Sequence, residues 1–178
     1  MAQVTEDLVF NEEHSSDGVS NWNNTTANDG SFGTISGNSK FIIFGLTNLS
    51  QTPTSITNIQ YFADVFSGAG ATMVIQHEFL NSSNTQLYTE NEGYSTDVEN
   101  QVSGTVRTTS DGSTAWTEND INTLRVKLTQ LAGVGTGTAT CDHFFVRVKY
   151  NVADPVAGLI KLNSGKIKLN SGLIGIKN

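Results

Sequence analysis

The sequence predicts an all-β fold, a two-sheet antiparallel sandwich of jelly-roll type with a short β-repeat arm at its carboxyl end. Three observations predict it. Apolar and polar residues alternate with a period of two in stretch after stretch. The connectors are turn chemistry, among them "SSDG", "ANDGS", "NSSN", "TSDGS" and "GVGTGT". No helix-length amphipathic segment separates one strand candidate from the next, which excludes βαβ units. Ser, Thr, Asn and Gly make up 74 of the 178 residues and only 37% are hydrophobic, a composition that suits thin layers better than a thick core.

Each element follows in order. Residues 1–14 are acidic and lack the basic start and apolar run of a secretory signal, so they are read as an amino-terminal segment ahead of a body at 15–150. "SKFIIFGL" is almost continuously apolar and predicts a central strand covered on both sides. "SITNIQYFADVF" turns Ile56, Ile59, Tyr61, Ala63 and Val65 inward and Gln60 and Asp64 outward. "TMVIQHEFL" does the same with Met73, Ile75, His77 and Phe79 against Gln76 and Glu78. In "WTENDIN", Thr117 and Asp120 are spaced for a capping box on a short helical turn, with Trp116 packing just ahead of it. "NTLRVKLTQ" buries Leu124, Val126 and Leu128 and exposes Arg125, Lys127 and Thr129. "CDHFFVRVKY" buries Phe144, Val146, Val148 and Tyr150. The body thus counts about eight or nine strands.

Residues 151–158, which include Pro155, read as a linker, and 159–178 hold nearly three copies of one seven-residue unit. In each unit four residues alternate and Asn-Ser-Gly turns, the glycine serving as the left-handed end of a three-residue hairpin loop. Ile160, Leu162, Ile167, Leu169, Ile174 and Ile176 fall on one face, and Lys161, Lys166, Lys168 and Lys177 on the other. Strands so short and so few are not stable alone, so this tail is expected to be an assembly interface that lays its apolar face on another surface. Charge agrees: residues 1–158 carry a net charge of −11 and residues 159–178 a net of +4. An acidic body repels phosphate, so no nucleic-acid partner is expected, and no apolar run is long enough to cross a membrane as a helix.

Catalytic or metal chemistry would have to come from these same residues. The sequence has no nucleophile elbow, phosphate loop, dinucleotide fingerprint or HExxH motif, and no spacing pairs its acids, so no enzyme, cofactor or metal is expected. Glu12, Glu13, Asp64, Glu78 and Asp120 read as solvated strand and loop positions. Cys141 is the single cysteine; it and His143 share a strand face, but two ligands cannot close a zinc site. His77 reads as a hydrogen-bonded core or interface histidine, and His14 sits in an acidic loop. "ANDGS" and "TSDGS" are read as plain turns in preference to calcium loops. Trp22, in "SNWNNTT", is left as a possible platform for stacking a sugar.

The order of "DGVSNWNNTTANDGSFGTI", "TSITNIQYFADV", "STAWTENDINTLRVKL" and "CDHFFVRVKYN" resembles a β-sandwich of virion structural proteins of tailed bacteriophages, loosely over 15–151 and well over 115–150. Trp116, Thr117, Asp120, Ile121, Asn122, Leu124 and Tyr150 carry the resemblance. It implies membership of a virion more than a place in it, and together with the basic tail it favours a capsid decoration or cement protein that stabilises a phage head through subunit contacts. Its partners would be the major capsid protein and other copies in a homotrimer, and it would be assembled into the virion in the host cytoplasm. The alternative is a tail or head-fibre module that binds host-surface carbohydrate.

Overall fold

The computed structural model describes residues 1–67, 73–94, 99–131, 138–154, 167–169 and 172–174. Ten strands form two antiparallel sheets. In the first sheet β10 (Thr138–Val152) is the central strand. On one side it pairs with β5 (Ser55–Ser67), which carries β8 (Asn100–Ser103) outside it. Its other side is shared end to end by the first half of β1 (Ala2–Asp17) and by β3 (Gly33–Ser36), with β2 (Val19–Ser20) outside β3. The second sheet runs from the latter half of β1 through β4 (Phe41–Leu46), β9 (Arg125–Gln130) and β6 (Met73–Leu80) to β7 (Gln86–Tyr94).

Strand β1 therefore belongs to both sheets. It leaves β10 after Val9 and joins β4 from Phe10, with register shifts between Phe10 and Glu12 and between Glu13 and Ser15. Bulges of this kind turn a sandwich corner. Residues 1–14, set apart in the sequence reading, are thus strand rather than leading segment, and the body's last strand extends to Val152.

The inward faces meet in an aromatic core. Phe44 and Phe144 touch edge to face at 5.4 Å, and Tyr61 stacks on His77 at 4.4 Å. The segment after β8 seals one side of it, where Gly104 passes so close to Tyr61 that a Cβ would lie 2.1 Å from the ring. Only glycine admits that approach. Trp116 is buried, packs on Tyr88 and donates its indole N–H to the carbonyl of Arg107 at 3.2 Å. Behind it the Thr117–Asp120 capping box is formed in both directions on α1 (Glu118–Asn122).

Four placements correct the sequence reading. Trp22 is 4% exposed: a 3-10 turn at Trp22–Thr25 folds it under Gly33 and against Phe44, so it is core and cannot stack a sugar. A register shift between Cys141 and His143 breaks the alternation there; Cys141 enters the core while His143 faces out toward Asp64. Glu78 and Asp64 point outward but are 5% and 6% exposed, not solvated. In the tail, β11 (Ile167–Leu169) and β12 (Gly172–Ile174) form a hairpin in which Gly172 pairs with Leu169, so that glycine belongs to the strand and not to a three-residue turn. The same register sets Ile167 opposite Ile174 and Lys168 opposite Leu173. Ile160, Leu162, Ile176, Lys161, Lys166 and Lys177, and linker residues 155–158, lie outside the described residues.

Candidate functional site

The outer face of the second sheet is the least ordinary surface of the body. Such a face in a sandwich is usually flat and polar. Here the register of β4, β9 and β6 builds three rows across it: Phe41–Thr129–Gln76, Ile43–Lys127–Glu78 and Gly45–Arg125–Leu80. Phe41, Ile43 and Leu80 are apolar and line an open groove of about 500 Å³ with Glu78, Lys127 and Thr129. The continuous apolar run of β4 has this origin. One face of the strand is core, and the other is the half-buried floor of the groove instead of a second covered face.

Charge sits in the middle of that floor. Lys127 Nζ lies 2.7 Å from Glu78 Oε2, and the carboxylate is almost wholly buried while the lysine keeps part of its surface in water. The contact is a short, charge-assisted ion pair at the floor of the groove. Thr129 Oγ1 is buried with no hydrogen-bond partner among the described residues. Removing a carboxylate from water costs several kcal/mol before its partner offsets it. A sheet surface has no packing reason to incur that cost, and a concavity with a few convergent polar groups is a candidate binding site.

At the β6–β7 turn, Asn81 Oδ1 accepts the N–H groups of Ser83 and Thr85 at 2.9 and 3.0 Å and holds Asn84 in the left-handed region at φ 61°. From there Asn84 Oδ1 accepts a hydrogen bond from Arg125 Nη1 at 2.8 Å. Beyond that bond lies a second cavity of about 190 Å³, lined by Asn11, His14, Gly45, Asn122 and Arg125. Glu12 and His14 stand 3.5 Å apart at its edge, which places His14 here.

The remaining residues singled out in the sequence have structural surroundings. His77 is buried, its Nε2 lies 2.9 Å from the Tyr94 hydroxyl, and burial pushes its pKa down to about 3. Burial likewise holds the Cys141 thiol and the Tyr94 hydroxyl well above their ordinary values. In "ANDGS" the backbone N–H groups of Asp29 and Gly30 donate to the Asp142 carboxylate at 3.4 and 3.1 Å. In "TSDGS" Asp111 accepts from the backbone of Ser113 and Thr114, which draws its pKa down to about 2. The first turn is tied to β10 through Asp142, and the second is closed on its own amides. None of these positions borders the groove, whereas Arg125, Lys127 and Thr129, read in the sequence as ordinary solvated residues, line it or its neighbouring cavity. The available signal was the β4 run, whose apolar residues outnumber what a single buried face needs.

No family model and no curated protein matches the chain. Among solved structures it is similar to a truncated AlyQ with CBM32 and alginate lyase domains, at 16% identity and a TM-score of 0.49, covering 88% of this chain and 36% of that one. It is similar also to the CBM32 of AlyQ in complex with 4,5-unsaturated mannuronic acid, at 17% identity and a TM-score of 0.46, covering 80% and 97%. A third is the C-terminal CBM6 of LamC, a laminarinase from Zobellia galactanivorans, at 15% identity and a TM-score of 0.47, covering 82% and 98%.

Proposed function

We propose that the chain is a non-catalytic binding module that takes a glycan in the groove on the outer face of its second sheet. The reading rests on the groove and not on the names of the similar structures. The observation that carries it is the Glu78–Lys127 pair, buried beside Phe41, Ile43 and Leu80 on a surface open to solvent. A pyranose offers an apolar C–H face and a rim of neighbouring hydroxyls. An apolar floor matches the first, and a carboxylate beside an ammonium matches donor and acceptor hydroxyls on adjacent carbons. Glycan-array binding followed by calorimetric titration tests the reading. Lys127→Met and Glu78→Gln should each remove binding from a folded protein. Retention of full affinity by both variants would reject the groove as the site.

A second reading is favoured by the hairpin of β11 and β12, which forms a two-stranded sheet of its own. The basic tail and acidic body are complementary between copies, as a virion decoration or cement protein would require for contacts with the major capsid protein and within a homotrimer. On this reading the glycan groove would face outward from a particle assembled in the host cytoplasm. Replacing Ile160, Leu162, Ile167 and Leu169 by Ser should abolish assembly onto particles or between copies. Normal assembly of that variant would sink this reading and leave the glycan site untouched.

A further inference from the structure

We propose that the two cavities on the outer face of the second sheet are one furrow, and that its ligand is an internal stretch of an unbranched oligosaccharide long enough to cross the Arg125–Asn84 bond. This rests on the glycan reading and adds to it the length and architecture of the ligand.

The register makes the floor continuous. Phe41, Ile43 and Gly45 are alternate residues of β4 on one face, and Thr129, Lys127 and Arg125 run beside them in the opposite direction on β9. Four residues of extended chain span about 13 Å, longer than a single sugar ring. The larger cavity lies over Phe41 and Ile43, and the smaller over Gly45. What separates them is a pair of side chains: Asn84 borders the larger cavity, Arg125 borders the smaller, and one 2.8 Å hydrogen bond joins them at an exposed site. An exposed bond of that kind is cheaply exchanged for bonds to a ligand hydroxyl. Both groups keep what a sugar chain needs, since a guanidinium carries five donors and an amide both donates and accepts.

Gly45 sets where the wall of the smaller cavity stands. A Cβ there would come within 3.1 Å of His14 Nε2 and 3.4 Å of Glu12 Cγ, so any larger side chain pushes aside the two β1 side chains that wall the smaller cavity. Between Ile43 and Leu46 on an apolar strand, glycine is otherwise a poor choice, because it weakens a strand and packs nothing. Its presence makes room for Glu12 and His14 to fold across the strand as the wall of the smaller cavity. Both cavities are open to solvent, which suits a ligand that enters and leaves along the sheet instead of ending in a blind pocket.

The test uses the full chain and size ladders, from monosaccharide to hexasaccharide, of whichever linkage class binds on an array carrying short and long glycans. Affinity of the wild type should rise about tenfold or more once the ligand is long enough to cross the bond, and then level off. Gly45→Leu should bind the shortest ligands as the wild type does and lose the increment for long ones. Arg125→Ala, which leaves the first cavity intact, should flatten the same increment. Thermal unfolding of each variant shows that it is folded. If affinity is independent of length, or Gly45→Leu keeps the full increment, the single furrow is rejected while the glycan reading stands. If no glycan of any length binds the wild type, the glycan reading itself falls and this inference with it.

Discussion

Replacing His77 by Phe should abolish a pH dependence of stability that the wild type shows between pH 6.5 and 4.5. His77 is buried against Tyr61 and Tyr94, and desolvation lowers its pKa from 6.5 to about 3. The folded state therefore holds a neutral ring across this interval while the unfolded chain takes up a proton. With the unfolded state binding more protons, stability falls as pH falls, beginning near 6.5 and continuing until the folded pKa is reached. Well below 6.5 each pH unit is worth about 1.4 kcal/mol, and because the unfolded histidine is already half protonated at 6.5 the drop from 6.5 to 4.5 amounts to about 2 kcal/mol; full burial leaves no solvent screening to discount it. The ring's Nδ1 has no partner among the described residues, so no neighbouring acid rescues the cation. Urea denaturation of both proteins at half-unit pH steps measures the effect as a difference, which cancels the carboxylates and the other two histidines. Wild-type and Phe lines that run parallel over the interval would refute the reasoning and mean that the folded protein admits a proton, or water, at His77.

Other perturbations have equally direct outcomes. Gly104→Ala would set a methyl group against the Tyr61 ring, and overpacking of this kind should cost about 1–3 kcal/mol in chemical denaturation. Trp116→Ala should cost about 3–5 kcal/mol, read the same way, because a buried indole and its bond to Arg107 are both lost. Lys127→Ala leaves the Glu78 carboxylate buried without its cation and should destabilise by about 1–3 kcal/mol, most of it recovered in the double variant with Glu78→Gln. A chain ended after Asp154 should unfold cooperatively with the midpoint of the full chain, since β10 ends at Val152; a molten product would place the tail within the fold.

Much of the sandwich was legible because alternation survives wherever a strand has one buried face and no bulge. Ile75 and His77 on β6, Val126 and Leu128 on β9, and Phe144 through Tyr150 on β10 all lie where their spacing puts them. Where a strand bulges, a local rule fails. One extra residue at Asp142 inverts the relation of Cys141 to His143. Strand β1 changes sheets midway, so its buried Leu8 is followed by irregular spacing and a run of exposed acids that reads as solvated tail. Trp22 misled for another reason: a polar loop containing an indole looks like a displayed ring unless the chain is known to curl under Gly33. The groove was hidden most deeply. Its rows join residues of three strands through pairings that sequence does not contain, and only the excess of apolar side chains in "FIIF" hinted that a second face was in use.

Strand β1 also sets the order in which the molecule can be completed. Its first half pairs with β10, Ala2 against Val152, and its second half with β4, so the earliest strand closes one sheet only when the last strand of the sandwich is present. During synthesis β1, β4, β6, β7 and β9 can come together as the second sheet while β10 is still within the ribosome. That intermediate would lack the central strand of the opposite sheet, and with it Phe144, which packs on Phe44. Long-range pairing of this kind makes folding slow, and it makes the partially translated chain the form most in need of a chaperone.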